Sequence, residues 1–360
     1  MLSVKIGKVV KVLKEDPELT EILVNIDQHE FKALNYNQLS GVIEEGDKVL
    51  LNTTAVDLQL GTGGYHFVIS NLEHPEQQIV PGGHIMKLRY TPYQLKVFAA
   101  EEQESPYHEV FNAFDTLGQM PVIVGTLHSM LAPVVSVLKH LNPQLKIVYI
   151  MTDGAALPAP LSNLVRSLKK ESMIEGTITI GNAFGGDLDC VNIYNGLIAA
   201  KEIMKCDAAV VAMGPGIVGT GTKYGFTGIE QGHILDAVND LSGCAIAVPR
   251  ISFADARERH QGISHHSITV LEKIVKTKVH LGIPSFDGQK KEILSKQVKA
   301  ARIHQKHYIH WIEPDTLFHI LKHSGMKFST MGRGLEEDRE FFITAAAAAQ
   351  IAISCSAGLE

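Results

Sequence analysis

The spacing of hydrophobic and polar residues changes character once along the chain. From Val4 to Asn71 short β-type runs alternate with turns, and the pattern predicts strands over residues 5–13, 21–26, 30–34, 48–52 and 65–70. Five such strands, punctuated by Gly46-Asp47 and by the glycine turn at residues 61–64, fit a small β-barrel. Beyond a link at residues 74–83, apolar runs alternate instead with helical stretches. These runs cover 122–125, 147–151, 177–181, 208–213, 245–248, 279–283 and 308–312. Such alternation predicts parallel strands joined by crossover helices, hence a doubly wound, mostly parallel α/β sheet. The expected division is a small β-barrel over residues 1–80 and an α/β domain over 81–360 that holds the ligand site.

Helix starts can be read from capping residues. Thr227 and Glu230 form a capping box ahead of Ile234, Leu235 and Val238, Asp189 is placed to cap the helix of Ile193 and Leu197, and Ser264 to cap that of Ile268 and Leu271. Residues 289–306 predict a basic helix with an apolar stripe of Leu294, Val298 and Ala301, read as a solvated outer face. The apolar stretch 343–355 is about a dozen residues long against the roughly 20 needed to span a bilayer, so a buried helix is expected and no membrane partner. Leu359-Glu360 is set aside.

Composition narrows the partners. With 360 residues, 45% hydrophobic and 20% charged, the chain can bury two ordinary cores. A net charge of −6 argues against a nucleic-acid or anionic-membrane binder, leaving a small ligand as the expected partner. Cys190, Cys206, Cys244 and Cys355 show no CxxC spacing, so neither a disulfide framework nor a structural zinc site is indicated. With no secretory signal pattern at the N-terminus, the expectation is a cytoplasmic protein.

Two segments carry most of the candidate chemistry. After the run 208–213 comes a loop with Gly214, Gly216, Gly219, Gly221 and Gly225, whose backbone N–H groups can approach an anion closely. Gly214-Pro-Gly-Ile-Val-Gly219 matches GxGxxG in form, but the helix is delayed to Thr227 and no GK[ST] follows, so neither a dinucleotide fingerprint nor a Walker loop is present. What remains is a backbone cradle flanked by Thr220, Thr222 and Lys223. The second segment packs Asp255, Arg257, Arg259, His260, His265 and His266 into twelve residues. The arginines suit an anion, and histidines in a helix's first turn are held neutral, the form that acts as base or metal ligand. A bland reading has the arginines paired with Asp255 and Glu258 while the histidines simply open a helix.

Shorter segments point to the same sheet edge. His128, Asp153, Asp187 and Asp189 each follow a predicted strand, and His128 joins the candidate ligand-binding residues while Asp153 or Asp255 would orient a histidine. A metal bridging Asp153, Asp187, His128 and the His265/His266 pair is an alternative, though no HExxH spacing supports it. His304, His307, His310, His319 and His323 lack acidic partners at fixed spacing and are not read as ligands.

Four segments carry a resemblance. LNTTAVDLQLGTGGYHFV (51–68), GGHIMKLRYTPYQ (82–94), MGPGIVGTGT (213–222) and FADARERHQGISHHS (253–267) together resemble a bacterial family of uncharacterised proteins known as a domain of unknown function, DUF3866-like. The resemblance spans nearly the whole chain. It implies a cytosolic bacterial protein and supplies no activity, so no catalytic residue is carried over. From the residues themselves the leading expectation is an enzyme acting on a small phosphorylated or otherwise anionic metabolite, such as a nucleotide. In it Gly214 to Lys223, Arg257 and Arg259 hold the anion, and His260, His265 or His266 acts as general acid or base. A metal-dependent hydrolase and a non-catalytic sensor of a small ligand are the alternatives. No cofactor can be named, and a homo-oligomer is compatible with the chain.

Overall fold

The structure, a computed structural model, describes residues 2–61 and 63–356; Thr62 of the glycine turn and the Leu359-Glu360 pair lie outside the described residues. The chain divides into two compact units, Met1–Val97 and Phe98–Glu360.

In the first unit β1 (Val4–Glu15), β2 (Leu19–Ile26), β3 (His29–Tyr36), β4 (Lys48–Asn52) and β5 (Tyr65–Asn71) close into a barrel in the order β1-β2-β3-β5-β4. Neighbours run antiparallel except β3 and β5, which are parallel. Alternate residues of β2 point inward, so Ile22, Val24 and Ile26 meet Val9, Val49, Leu51 and Val68 in a small core. Register shifts between Val9/Lys11 and Val12/Lys14 bend the long β1. The polar stretch between β4 and β5 contains a helical turn, Thr54–Asp57, whose Asp57 carboxylate accepts hydrogen bonds from the Ser3 and Thr53 hydroxyls. β6 (Ile85–Lys87) and β7 (Leu95–Val97) form an antiparallel hairpin at the end of this unit.

The second unit is built on β8 (Pro121–Val124), β9 (Ile147–Thr152), β10 (Gly176–Thr179), β11 (Leu188–Asp189), β12 (Ala208–Met213) and β13 (Cys244–Ala247), with a small sheet of β14 (Ile251–Ser252) and β15 (Gly262–Ile263), then β16 (His280–Pro284) and β17 (Tyr308–Ile312). Eight strands form one parallel sheet in the order β11-β10-β9-β12-β8-β13-β16-β17. Every residue of β8, β9, β10, β12 and β13 is buried, as strands covered on both faces require. The chain is therefore the small β-barrel followed by a doubly wound α/β sheet that its pattern predicted.

The apolar C-terminal stretch is the helix Arg339–Ser356, packed on the sheet with Ala345 to Ala349 wholly buried. At Gly282 of β16 an added Cβ would sit 2.9 Å from the Ala347 Cβ, so small residues on both sides set this close approach. No helix among the described residues is long and apolar enough to cross a membrane. The basic helix, Gly288–Ala300, buries Leu294 and Val298.

Two expected caps are corrected. Thr227 bonds back to Val218 and opens a short 3-10 turn, while Glu230 turns its carboxylate to the Thr152 hydroxyl, 2.5 Å away, so no capping box forms. Asp189 accepts from Thr179 Oγ1 within the sheet, and Asn192 caps the helix Ile193–Ile198 instead. Ser264 does cap the next helix, accepting from the His266 N–H.

Strand order positions the site. The connection after β8 leads to β9 on one side, and those after β12 and β13 lead to the other side. Connections leaving in opposite directions put their helices on opposite faces and open a crevice at the carboxyl ends of the strands between them.

Candidate functional site

Three loops meet in that crevice: residues 125–130 after β8, 214–226 after β12 and 248–266 after β13. They enclose a cleft of about 230 Å³ whose wall includes Thr126, Ile217, Gly219, Arg250, Arg259 and His266. The loop after β13 is folded onto itself by the two-residue pairing of β14 with β15, Ile251 opposite Ile263. That pairing brings both ends of the charged segment to one place.

A buried guanidinium organises this segment. Arg250, 7% exposed, donates to Asp255 Oδ2 and to His260 Nδ1, both at 2.8 Å. Arg257 completes the carboxylate's shell, donating through Nε and Nη2 to the two Asp255 oxygens at 2.9 and 2.8 Å. These bonds from Arg257, helped by Arg250, hold the Asp255 carboxyl well below the usual carboxylate range. Asp255 is thus consumed by arginines and orients no histidine.

His260 receives its orientation from Arg250 and from Ser264, whose Oγ lies 2.8 Å from the same Nδ1. A guanidinium can only donate, so Nδ1 is the unprotonated nitrogen and the neutral ring carries its proton on Nε2. Burial and then the Arg250 charge bring the His260 pKa down to about 3. Sequence reasoning missed Arg250 because it precedes the dense segment, and its only signal was a charge directly after the buried run 245–248.

His265 and His266 open the helix His265–Thr269, as their place after Ser264 predicted. Phe226 from the glycine loop stacks on His266 with ring centroids 4.0 Å apart and planes 10° from parallel. Burial first, then neighbouring positive charge, brings the His266 pKa down to about 4 and lowers that of His265. Both Nε2 atoms are buried and have no hydrogen-bond partner. Only His266 and His260 line the cleft; His265 lies behind them, its ring 4.0 Å from that of His266.

The glycine loop has two parts. Gly214 is a packing residue, since a Cβ there would lie 2.4 Å from the Ala156 carbonyl oxygen. Gly216, at φ +110°, turns the chain into a hairpin closed by Thr220 N–H to Gly225 O and Thr227 N–H to Val218 O. The Thr220 and Thr222 hydroxyls bond each other at 2.9 Å and tie to Gly225, and the Lys223 ammonium lies over the Tyr224 ring. These three side chains close the hairpin tip and do not line the cleft, contrary to the expectation of a cradle flanked by them. Gly219 and Gly221 do reach it: a Cβ on Gly219 would meet His266 Cε1 at 3.1 Å, and one on Gly221 would lie 3.7 Å from Arg259 Nη2. Among the described residues, no protein group accepts the N–H of Gly216, Ile217, Gly219 or Gly221. Arg259 is exposed and makes no ion pair among the described residues.

The other candidates lie apart. His128 borders a neighbouring groove of about 400 Å³ with Gly214 and Gly216, but both of its nitrogens are committed, Nδ1 to Tyr149 Oη at 3.2 Å and Nε2 to Ser162 Oγ at 2.6 Å. Burial lowers its pKa to about 4. Asp153 accepts from the Asn182 N–H, and Asp187 is held by Lys169 and Thr177. His128, Asp153, Asp187 and the His265/His266 pair therefore do not converge on one metal. Beside Asp153, Glu230 is pushed up to about 7 by burial, a perturbed carboxyl that its apparent role in a cap concealed.

A family model described as a protein of unknown function, DUF3866, matches residues 32–349. No curated protein matches the chain.

Proposed function

The chain belongs to the DUF3866 family, whose description assigns no activity, and from the cleft we propose an enzyme that binds a small phosphorylated or otherwise anionic metabolite and uses His266 as its general base. One observation carries the reading. The buried, unpartnered Nε2 of His266 stands against Gly219, whose N–H is unpaired, in the same wall as Arg259. Unpaired backbone N–H groups and an uncommitted guanidinium suit an anion's oxygens. Arg257, tied to Asp255 through Nε and Nη2, still turns one edge to the cleft. A neutral imidazole at neutral pH has a lone pair with which to take a proton from the bound molecule or from water. Phe226 fixes the ring plane, while Arg250 and Ser264 fix His260 beside it in the same wall. The free thiols and the family resemblance favour the bacterial cytoplasm as the site of this activity.

Calorimetry with inorganic phosphate and a nucleoside monophosphate tests the anion site. Arg259→Ala should weaken binding at least about tenfold, the loss of one charge-assisted hydrogen bond. His266→Gln should leave affinity within about threefold at pH 7, because the lost ring is uncharged there. Equal phosphate affinity in the wild type and Arg259→Ala would remove the anion site.

A further inference from the structure

The opposite, amino-terminal edge of the sheet carries a cluster that the cleft does not use. Cys244 is the first residue of β13 and His280 the first of β16. The register sets Ile246 beside His280 and Gly282 beside His310, and strand residues two apart share a face. Cys244, His280 and His310 thus stand on one face of three adjacent strands. Gly282 on that face abuts Ala347 of the helix Arg339–Ser356, and the last turn of the same helix brings in Cys355.

The two sulfurs and an imidazole nitrogen of His280 all lie within 4.8 Å of one another. His280 Nδ1 is 2.9 Å from His310 Nε2, so one ring donates to the other, and Tyr308 stacks on His280 with centroids 5.0 Å apart. The ring plane of His280 is therefore set by neighbours, and with Nδ1 donating to His310 its Nε2 would be free for a metal, as for a metal-bound histidine whose second nitrogen is held by an outer partner. Beside the cluster opens a cavity of about 640 Å³, lined among others by Asn239, Ser242 and Lys278.

We propose that Cys244, Cys355 and His280 bind a divalent metal of the zinc type, with His310 as the outer partner of His280 and the fourth coordination position open to the cavity. The donor set selects the metal: two thiolates and an imidazole suit zinc, whereas magnesium and calcium take oxygen ligands. Bonds of about 2.3 Å to sulfur and 2.0 Å to nitrogen place tetrahedral ligand atoms under about 4 Å apart, so small side-chain rotations close the site. Two thiolates also neutralise the dication at a partly buried position. Sequence spacing hides the site because its ligands come from two strands and a distant helix.

The test uses the full chain purified without chelator under reducing conditions. Elemental analysis should find one equivalent of zinc, and the stripped protein refilled with cobalt should show thiolate-to-cobalt charge transfer and tetrahedral d–d absorption. Cys355→Ser and His280→Ala should each weaken cobalt binding tenfold or more. If those variants fold poorly, the wild type still decides: zinc should slow alkylation of the half-buried Cys355, read by peptide mass, and unchanged labelling of Cys355 with and without zinc would count against the site. Absence of metal binding by the stripped, reduced wild type, or unchanged cobalt affinity in both variants, would overturn the proposal. So would a Cys244–Cys355 disulfide in the reduced preparation.

Discussion

Replacing His128 by glutamine tests whether this imidazole is a structural strut or a ligand. In the native protein its two nitrogens are paired with Tyr149 and Ser162, and burial brings its pKa to about 4. In the unfolded chain it titrates near its ordinary value of about 6.5. At intermediate pH the unfolded state binds more protons, so acidification favours unfolding. The stabilisation is full above the unfolded pKa and declines as pH falls towards the folded value. Between pH 7 and pH 5 the unfolded imidazole becomes almost fully protonated while the native ring reaches about one tenth, a loss of about 2 kcal/mol from this residue.

Urea unfolding at the two pH values measures it, with fluorescence of Trp311, the single tryptophan, reporting on the second unit. Glutamine cannot titrate. The variant should be about 1 kcal/mol less stable at pH 7 through a lost hydrogen bond. On going to pH 5 it should lose about 2 kcal/mol less than the wild type. Parallel pH dependence of the two proteins, within about 0.5 kcal/mol, would refute the assignment of His128 as a buried neutral strut.

Gly219→Ala adds a methyl 3.1 Å from His266 Cε1, where the neighbour must give by a few tenths of an ångström. Phosphate binding by calorimetry should weaken while thermal unfolding stays close to wild type; unchanged affinity would place the anion elsewhere. Arg250→Met removes the shared donor of Asp255 and His260. Because Asp255 keeps Arg257, chemical denaturation should show a cost of about 3 kcal/mol, at the low end for breaking a buried pair, and a loss below about 1 kcal/mol would contradict the organising role of Arg250. Gly282→Ala forces a methyl to 2.9 Å from Ala347 and should destabilise by about 1–3 kcal/mol through overpacking, with a neutral result arguing that the helix can slide.

Much of the architecture was legible because it follows from local periodicity. The buried runs at 147–151 and 208–213 became β9 and β12, and the apolar stretch 343–355 became a buried helix. The helix start at Ser264 was legible too, since a hydroxyl cap acts within three residues. Caps at Thr227 and Asp189 were misread for the same physical reason in reverse. A polar side chain beside a helix start bonds whichever partner tertiary packing brings nearest, and Val218 and Thr179 arrived first.

The density of charge in residues 255–266 and the glycine run 214–225 marked the two loops before any fold was known. The order of the strands brought them together, since nothing in either segment states that β12 lies beside β8, and β8 beside β13. The partners within the site were decided by three-dimensional packing alone: Arg250 taking Asp255, Phe226 covering His266, and Tyr149 with Ser162 closing off His128. By itself the sequence determined where strands, helices and reactive side chains occur, because backbone geometry and hydrophobic period act over a few neighbouring residues. Which of those side chains remain unpaired and able to meet a ligand depends on contacts between segments far apart in the chain, so only the tertiary structure decided it.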